Sequence, residues 1–290
     1  MSSTDHLAFL GKEPASVTMG IHQQPLSVPG EITYTQQVQP WQKTRDGHMS
    51  LPAYCALIDT AAGSAAYQFS GYSSTEWVVS RLSVTCAPWA PVSEVVSATS
   101  RCEHVDTVTG TASARAEVFS GEHFLASVSC RSVSADRIRV NEEDLVPEMK
   151  PGPDGGHATA WTGPFADHLG VSAPSSTAGS IEQLWNPQEW QSNGLGTVQG
   201  GLVLGVVATS AEAAGTLLVG DGFRVAISDL NLDILRSPQV SEGAEYRIVS
   251  TVVRQGRRLV VLSTEIVDGG GRVFARGAVT LLPRTIEGER

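Results

Sequence analysis

The chain has 290 residues, a formal net charge of -10 and a pI of about 5.1. That length exceeds one usual domain and predicts two cores of ~140 residues each. The acidic balance argues against nucleic acid as a partner, so any anionic ligand must be held by local groups.

The N-terminal residues MSSTDHLAFLGKEPAS lack a basic start followed by an apolar run, and no stretch reads as approaching the ~18 apolar residues of a membrane span. A cytoplasmic chain with no membrane partner is expected. After Trp41-Gln42 and a short polar loop comes LPAYCALIDTAAGSAAY from Leu51, apolar nearly all round and rich in Ala, which predicts a buried helix. Four strand-like segments follow, EWVVSRLSVTC, SEVVSATSRCE, TASARAEVF and HFLASVSCRSV, with separators that suit antiparallel hairpins. The four cysteines, Cys55, Cys86, Cys102 and Cys130, all fall in this half without a close pair for zinc or redox exchange, and read as small buried residues. No metal site and no cofactor is expected.

Residues 137 to 160 carry charge, then Pro147, Pro151, Pro153 and Gly152, Gly155, Gly156, the composition of an exposed linker. Beyond it the plan repeats. Laying Trp41-Gln42 on Trp190-Gln191 also brings Gly47 onto Gly196 and Ala126 onto Ala275. A second buried helix is predicted at GGLVLGVVATSAEAAGTLL from Gly200, then strands at FRVAISDLNLDIL, AEYRIVSTVVR, RLVVLSTEIV and RVFARGAVTLL. The fold class is therefore α+β: domains at 1–136 and 161–286, each a central helix wrapped by a curled antiparallel sheet, joined by the 137–160 linker. Trp41 and Trp190, being repeated, read as anchors of the strand-to-loop transition rather than as ligand contacts.

In the second half, PFADHLGV followed by NGLGTVQGG resembles the PaaI-like branch of hotdog-fold acyl-CoA thioesterases. That branch has Asn, Gly three residues on, then His-Gly-Gly opening the central helix. Asn193, Gly196, Gly200 and Gly201 stand at the family's spacing, and Gln199 replaces the His. The family also carries a carboxylate nine residues after the His position. The first half supplies it as Asp59 in ALIDTAAG, whereas the second has Ala208; conversely the first half has Ser50, Leu51 and Pro52 where the second has Gln199, Gly200 and Gly201. The resemblance implies a tandem double hotdog acting on acyl-CoA or a carrier-bound acyl group, with CoA as part of the substrate, and further pairing into a homodimer.

Thioester hydrolysis needs a polariser for the carbonyl oxygen and a carboxylate that attacks or activates water. The free N–H groups at Gly200 and Gly201 serve the first need, and side-chain-free residues let a thioester approach. Pro52 has no N–H. A carboxylate nine residues along a helix lies ~13 Å from that helix's own start, so Asp59 must serve the other half's helix, giving one composite site per chain.

By the resemblance, Asn193 and Gln199 position the substrate or water, and Ser64 stands close to where one branch of the family has a hydroxyl; Thr60, Gly63 and Ser64, on the Asp59 helix, are candidate substrate contacts, and the clustered charge of Arg254, Arg257 and Arg258 would suit the CoA phosphates. Each has a plainer account: a turn at Asn193, helix packing at the glycines, a solvated hairpin end at the arginines. Glu212, one turn past Ala208, is a candidate displaced carboxylate, and His48 a shifted relic of the family histidine, though a surface loop histidine is the simpler account. Two other functions fit the same fold: a hotdog hydratase, isomerase or cyclase on a bulky acyl or polyketide-like substrate, and a non-catalytic acyl-CoA binder.

Overall fold

The computed structural model describes residues 13–44, 46–69, 77–134, 161–177, 179–193 and 196–286; the 137–160 linker expectation lies outside them. In the first half a short helix α1 (Pro14–Thr18) precedes β1 (Ile21–Gln23) and β2 (Glu31–Gln37). Helix α2 (Cys55–Phe69) follows, then β3 (Trp77–Cys86), β4 (Val95–Asp106), β5 (Thr111–Ser120) and β6 (His123–Ser134). The second half runs α3 (Phe165–Leu169), β7 (Ser175–Thr177), β8 (Ser180–Trp185), α4 (Gly200–Val219), β9 (Phe223–Ile234), β10 (Tyr246–Gln255), β11 (Val260–Val267) and β12 (Val273–Thr285).

All twelve strands join one antiparallel sheet in the order β1-β2-β4-β5-β6-β3-β9-β12-β11-β10-β8-β7. The left six and the right six repeat one pattern about the β3–β9 seam, where five residue pairs centre on Ser83 opposite Asn231. Helix α2 packs on β2 to β6, α4 packs on β9 to β12, and the two helices touch each other.

Side-chain size explains how close these layers come. Ala112, Ala114, Ala116 and Val118 alternate into the core along β5, and Val260, Leu262, Thr264 and Ile266 do so along β11. Gly205 of α4 passes so near α2 that a methyl group on it would lie 2.6 Å from the Cys55 sulfur. The predicted helices and eight long strands are all present. The first helix begins later than expected, since Leu51–Tyr54 forms a 3-10 turn before α2. Strands β2 and β8 escaped the sequence reading because their inward positions include Gln36 and Gln183 beside Ile32, Tyr34, Ile181 and Trp185, which blurs the apolar alternation. Helix α4 also corrects the membrane expectation: it is long and apolar enough to cross a bilayer, but 67% of that window is buried inside the fold, as for a core helix.

Trp41 and Trp190 sit on equivalent 3-10 turns, each braced by a reciprocal glutamine cap, Gln39 with Gln42 and Gln188 with Gln191. Trp41 stacks on Phe165 at 5.0 Å, and Trp190 meets Trp161 edge-on at 4.9 Å. Their rings tie α3 to both turns. All four cysteines are free; Cys55 and Cys130 are buried, Cys86 and Cys102 partly so.

Candidate active site

Helix α4 opens where α2 crosses it, and that crossing brings Asp59 of the first half against Gly200 and Gly201 of the second. A methyl group at Gly200 would lie 3.1 Å from Asp59 Oδ1 and 3.3 Å from Oδ2. The Gly201 N–H donates to the Asp59 carboxylate. That hydrogen bond and the positive end of α4 favour the charged form, yet burial dominates and pushes the Asp59 carboxyl up to about 6. Its Oδ1 is sealed from solvent and accepts no hydrogen bond from the protein.

Gln199 is the N-cap residue of α4, but its side chain does not cap the helix. Its Nε2 donates instead to Thr60 Oγ1 at 3.0 Å and to Glu13 Oε1 at 3.1 Å. Ser16 Oγ lies 3.1 Å from both Glu13 Oε1 and Thr60 Oγ1, closing a ring of four side chains. This leaves Gln199 Oε1 as a second buried acceptor with no protein donor. The two orphan acceptors belong to residues that flank the start of α4, and each calls for a donor such as water or a substrate group.

Glu13, at the N-cap of α1, was not singled out in the sequence. Burial, and then the neighbouring Asp59 charge, push its carboxyl up to about 8, so at neutral pH it is a neutral acid beside an ionised one. The available signal was positional: EPASVTMG, just before the first strand, is the counterpart of PFADHLGV in the second half.

The other expected residues are placed less centrally. Asn193 Nδ2 donates to Thr197 Oγ1 at 2.8 Å within its own loop. Ser64 pairs with the Tyr34 hydroxyl at 3.0 Å, one turn beyond Thr60, and Gly63 faces Val79. Arg254, Arg257 and Arg258 are exposed at the β10–β11 hairpin. The Gln255 side chain there donates to Leu218 O, near the C-terminal end of α4. Twenty residues of helix, roughly 30 Å at 1.5 Å each, separate that hairpin from Gly200.

The opposite interface has Leu51, Pro52 and fully buried Ala208. Glu212 reaches into it, close enough for its charge to act on Tyr54 and Cys86, whose hydroxyl and sulfur lie 3.8 Å apart. The Glu212 residue is only half-buried, yet its Oε1 is sealed and unpartnered, and burial pushes its carboxyl up to about 8. A carboxyl raised in the folded state stabilises fully below its ordinary 4.5 and loses that contribution as pH rises through about 8. Glu212→Gln is therefore expected to raise Tm by a few degrees at pH 9 and leave it unchanged at pH 4, measured by thermal melts across pH; an equal shift at both pH values counts against this account.

Residues 195–275 match the Thioesterase superfamily, a segment that spans the Gln199-Gly200-Gly201 helix start. No curated protein sequence matches the chain. Among solved structures, the chain resembles the tesB protein of Mycobacterium avium subs paratuberculosis, at 13% identity over 98% of this chain and 100% of that one, with a TM-score of 0.62. It also resembles an acyl-CoA thioesterase II, TesB2, from Mycobacterium marinum (13% identity, 92% and 97% covered, TM-score 0.57). A third likeness is to the 12:0-ACP thioesterase from Umbellularia californica (12% identity, 88% and 94% covered, TM-score 0.56). The second half thus carries the sequence pattern of the thioesterase superfamily, and the whole chain has the fold that these thioesterases share.

Proposed function

We propose that the protein is a tandem double-hotdog thioester hydrolase, acting on acyl-CoA or a carrier-bound acyl group at one composite site between its halves. One observation carries this reading: the buried Asp59 carboxylate of α2 lies against the main chain of Gly200 and Gly201 at the start of α4. The fold shared with thioesterases that act on CoA and carrier-protein esters supports it, as does the superfamily match. The PaaI-like spacing of Asn193, Gly196, Gly200 and Gly201 points the same way.

The Gly201 N–H orients Asp59, which leaves the Gly200 N–H, unpaired within the helix by its position in the first turn, to polarise the thioester carbonyl. Asp59 Oδ1 and Gln199 Oε1 together accept both protons of one water molecule and aim its lone pair at the carbonyl carbon. Asp59 takes a proton as the C–O bond forms, the tetrahedral oxyanion is held at the helix start, and collapse expels the thiolate, which takes up the proton. Thr60 and Glu13 fix the Gln199 amide.

The geometry also suits a plainer role, with Asp59 capping α4 from the neighbouring helix, an assignment favoured by the Gly201 hydrogen bond. The discriminating experiment is release of free thiol from a panel of aliphatic and aromatic acyl-CoA and acyl-carrier substrates. Hydrolysis of at least one class is expected. A rearranged acyl product without thiol release would favour an isomerase or cyclase, and binding without turnover a non-catalytic binder.

The two carboxyls set the pH profile. Activity is expected to rise as Asp59 ionises near pH 6 and fall as the pair loses its second proton near pH 8, when a second buried negative charge opposes the oxyanion. Glu13→Gln, a neutral stand-in for the protonated acid, should keep activity at pH 7 within a few-fold and abolish the alkaline fall. A profile of kcat against pH identical to wild type would remove Glu13 from the mechanism.

A further inference from the structure

A cavity of about 260 Å³ opens on the interface that lacks the Asp59 chemistry, lined by Asp46, His48 and Trp89 of the first half and Arg224, Arg284 and Thr285 of the second. We propose that it binds a phosphoryl group of a small phosphorylated ligand.

Arg224 and Arg284 stand directly opposite one another on β9 and β12. Like charges at such a position repel and are disfavoured in a sheet unless something between them repays the cost. Among the described residues one carboxylate, Asp46, pairs with Arg224, so within them the two guanidiniums share a single negative charge, in a protein that is acidic overall. Arg284 is held over the Trp89 ring, 5.6 Å from its centroid. Trp89 in turn has a φ of 68°, the one positive φ outside glycine among the described residues, a conformation that a bulky side chain adopts only under strain. His48 fixes the same turn, its Nδ1 lying 3.2 Å from Ala90 O and its ring edge-on to Trp89.

A strained tryptophan and an opposed arginine pair, with one carboxylate between them among the described residues, converge on one anion. Two guanidinium forks match the oxygens of a phosphoryl dianion better than a single carboxylate does. The cavity exceeds one phosphate and leaves room for a sugar, while the Trp89 face, already covered by Arg284, does not offer itself to a nucleobase. The 3′-phosphate of CoA and inorganic phosphate are two sources of this chemistry. The pocket does not rest on the hydrolase reading; only its occupation by CoA would connect the two.

The test is titration of full-length protein with inorganic phosphate, CoA and 3′-dephospho-CoA, followed at the Trp89 indole N–H by NMR, with Trp89→Phe assigning the signal. Phosphate and CoA are expected to shift it, with affinity falling at least about ten-fold in Arg284→Ala and with added salt. Asp46→Asn should tighten binding several-fold by freeing Arg224. Asp59→Asn should leave this binding unchanged. Tighter binding of CoA than of dephospho-CoA identifies the 3′-phosphate as the source, equal binding of both identifies the diphosphate they share, and a response to phosphate with none to either identifies the free anion. No response to 20 mM phosphate, on the order of a hundred times a strong site's need, or a response that survives Arg284→Ala, overturns the proposal and leaves the residues as glue between the halves. Thiol release that persists in Arg284→Ala keeps the hydrolase reading whatever the outcome here.

Discussion

Asp59→Asn is expected to lower turnover of the best acyl thioester by roughly 10²–10⁴-fold, the range of a lost general base, while a non-hydrolysable thioether analogue still binds. The substitution keeps the shape that fits against Gly200 and Gly201 and removes the charge. It should not unfold the protein. Because burial raises the Asp59 carboxyl to about 6, the folded state resists its ionisation, and the stability contributed by the protonated form is lost as pH climbs through that value. A neutral amide escapes that loss, so Tm at pH 8 should match or exceed wild type. Steady-state thiol release and a melt on the same sample decide the matter. Full activity in Asp59→Asn together with its loss in Glu212→Gln would move the working site to the opposite interface.

Gly201→Ala should be more damaging than its single methyl suggests. The added carbon would lie 2.4 Å from Cys55 O, 2.7 Å from Asp59 Cβ and 2.9 Å from Ala56 Cα, two of which are backbone atoms that cannot swing aside. Helices α2 and α4 must separate, at a cost of about 1–3 kcal/mol by comparison with other overpacked cores, and the Gly201 N–H would leave Asp59. Loss of nearly all activity and a clear drop in denaturant midpoint are expected. Gly200→Ala provides the contrast. The three atoms nearest its methyl all belong to the Asp59 carboxylate, at 3.1 to 3.4 Å, so activity should fall while the midpoint barely moves. If both alanine variants behave alike, the tight crossing does not govern the site.

Much of this arrangement was legible before any coordinates. Two apolar helices without a polar face could only be core helices, and complementary losses at Asp59/Ala208 and Pro52/Gly201 implied a shared site, since a helix cannot fold its ninth residue back onto its own start. What escaped were features without periodicity. Ser16 and the N-cap residue Glu13 belong to a five-residue helix too short to show a pattern, and their meaning appears only when α1 docks on the loop of the other half, Ala15 N donating to Ser192 O. The arginines of the β10–β11 hairpin show how little sequence says about reach: their charge is clustered in sequence and stands a helix length away from Gly200. Arg224 and Arg284, sixty residues apart in sequence, are instead adjacent in space because β9 and β12 are neighbours.

The seam between β3 and β9 bears on how such a chain keeps its partners straight. Arg81 faces Asp233, with Nε 2.5 Å from Oδ1, and Thr85 Oγ1 donates to Asp229 at 3.2 Å. Were a second half to meet another second half through the same strand, the register centred on Asn231 would set Asp229 against Asp233 on both sides of the axis, two like-charge contacts in place of an ion pair and a hydrogen bond. A first half meeting its own copy would set Arg81 against Thr85 and gain no carboxylate. The strand thus distinguishes kin from stranger: released as separate polypeptides, the halves would prefer each other to themselves, and the chain's asymmetry would survive the loss of the tether.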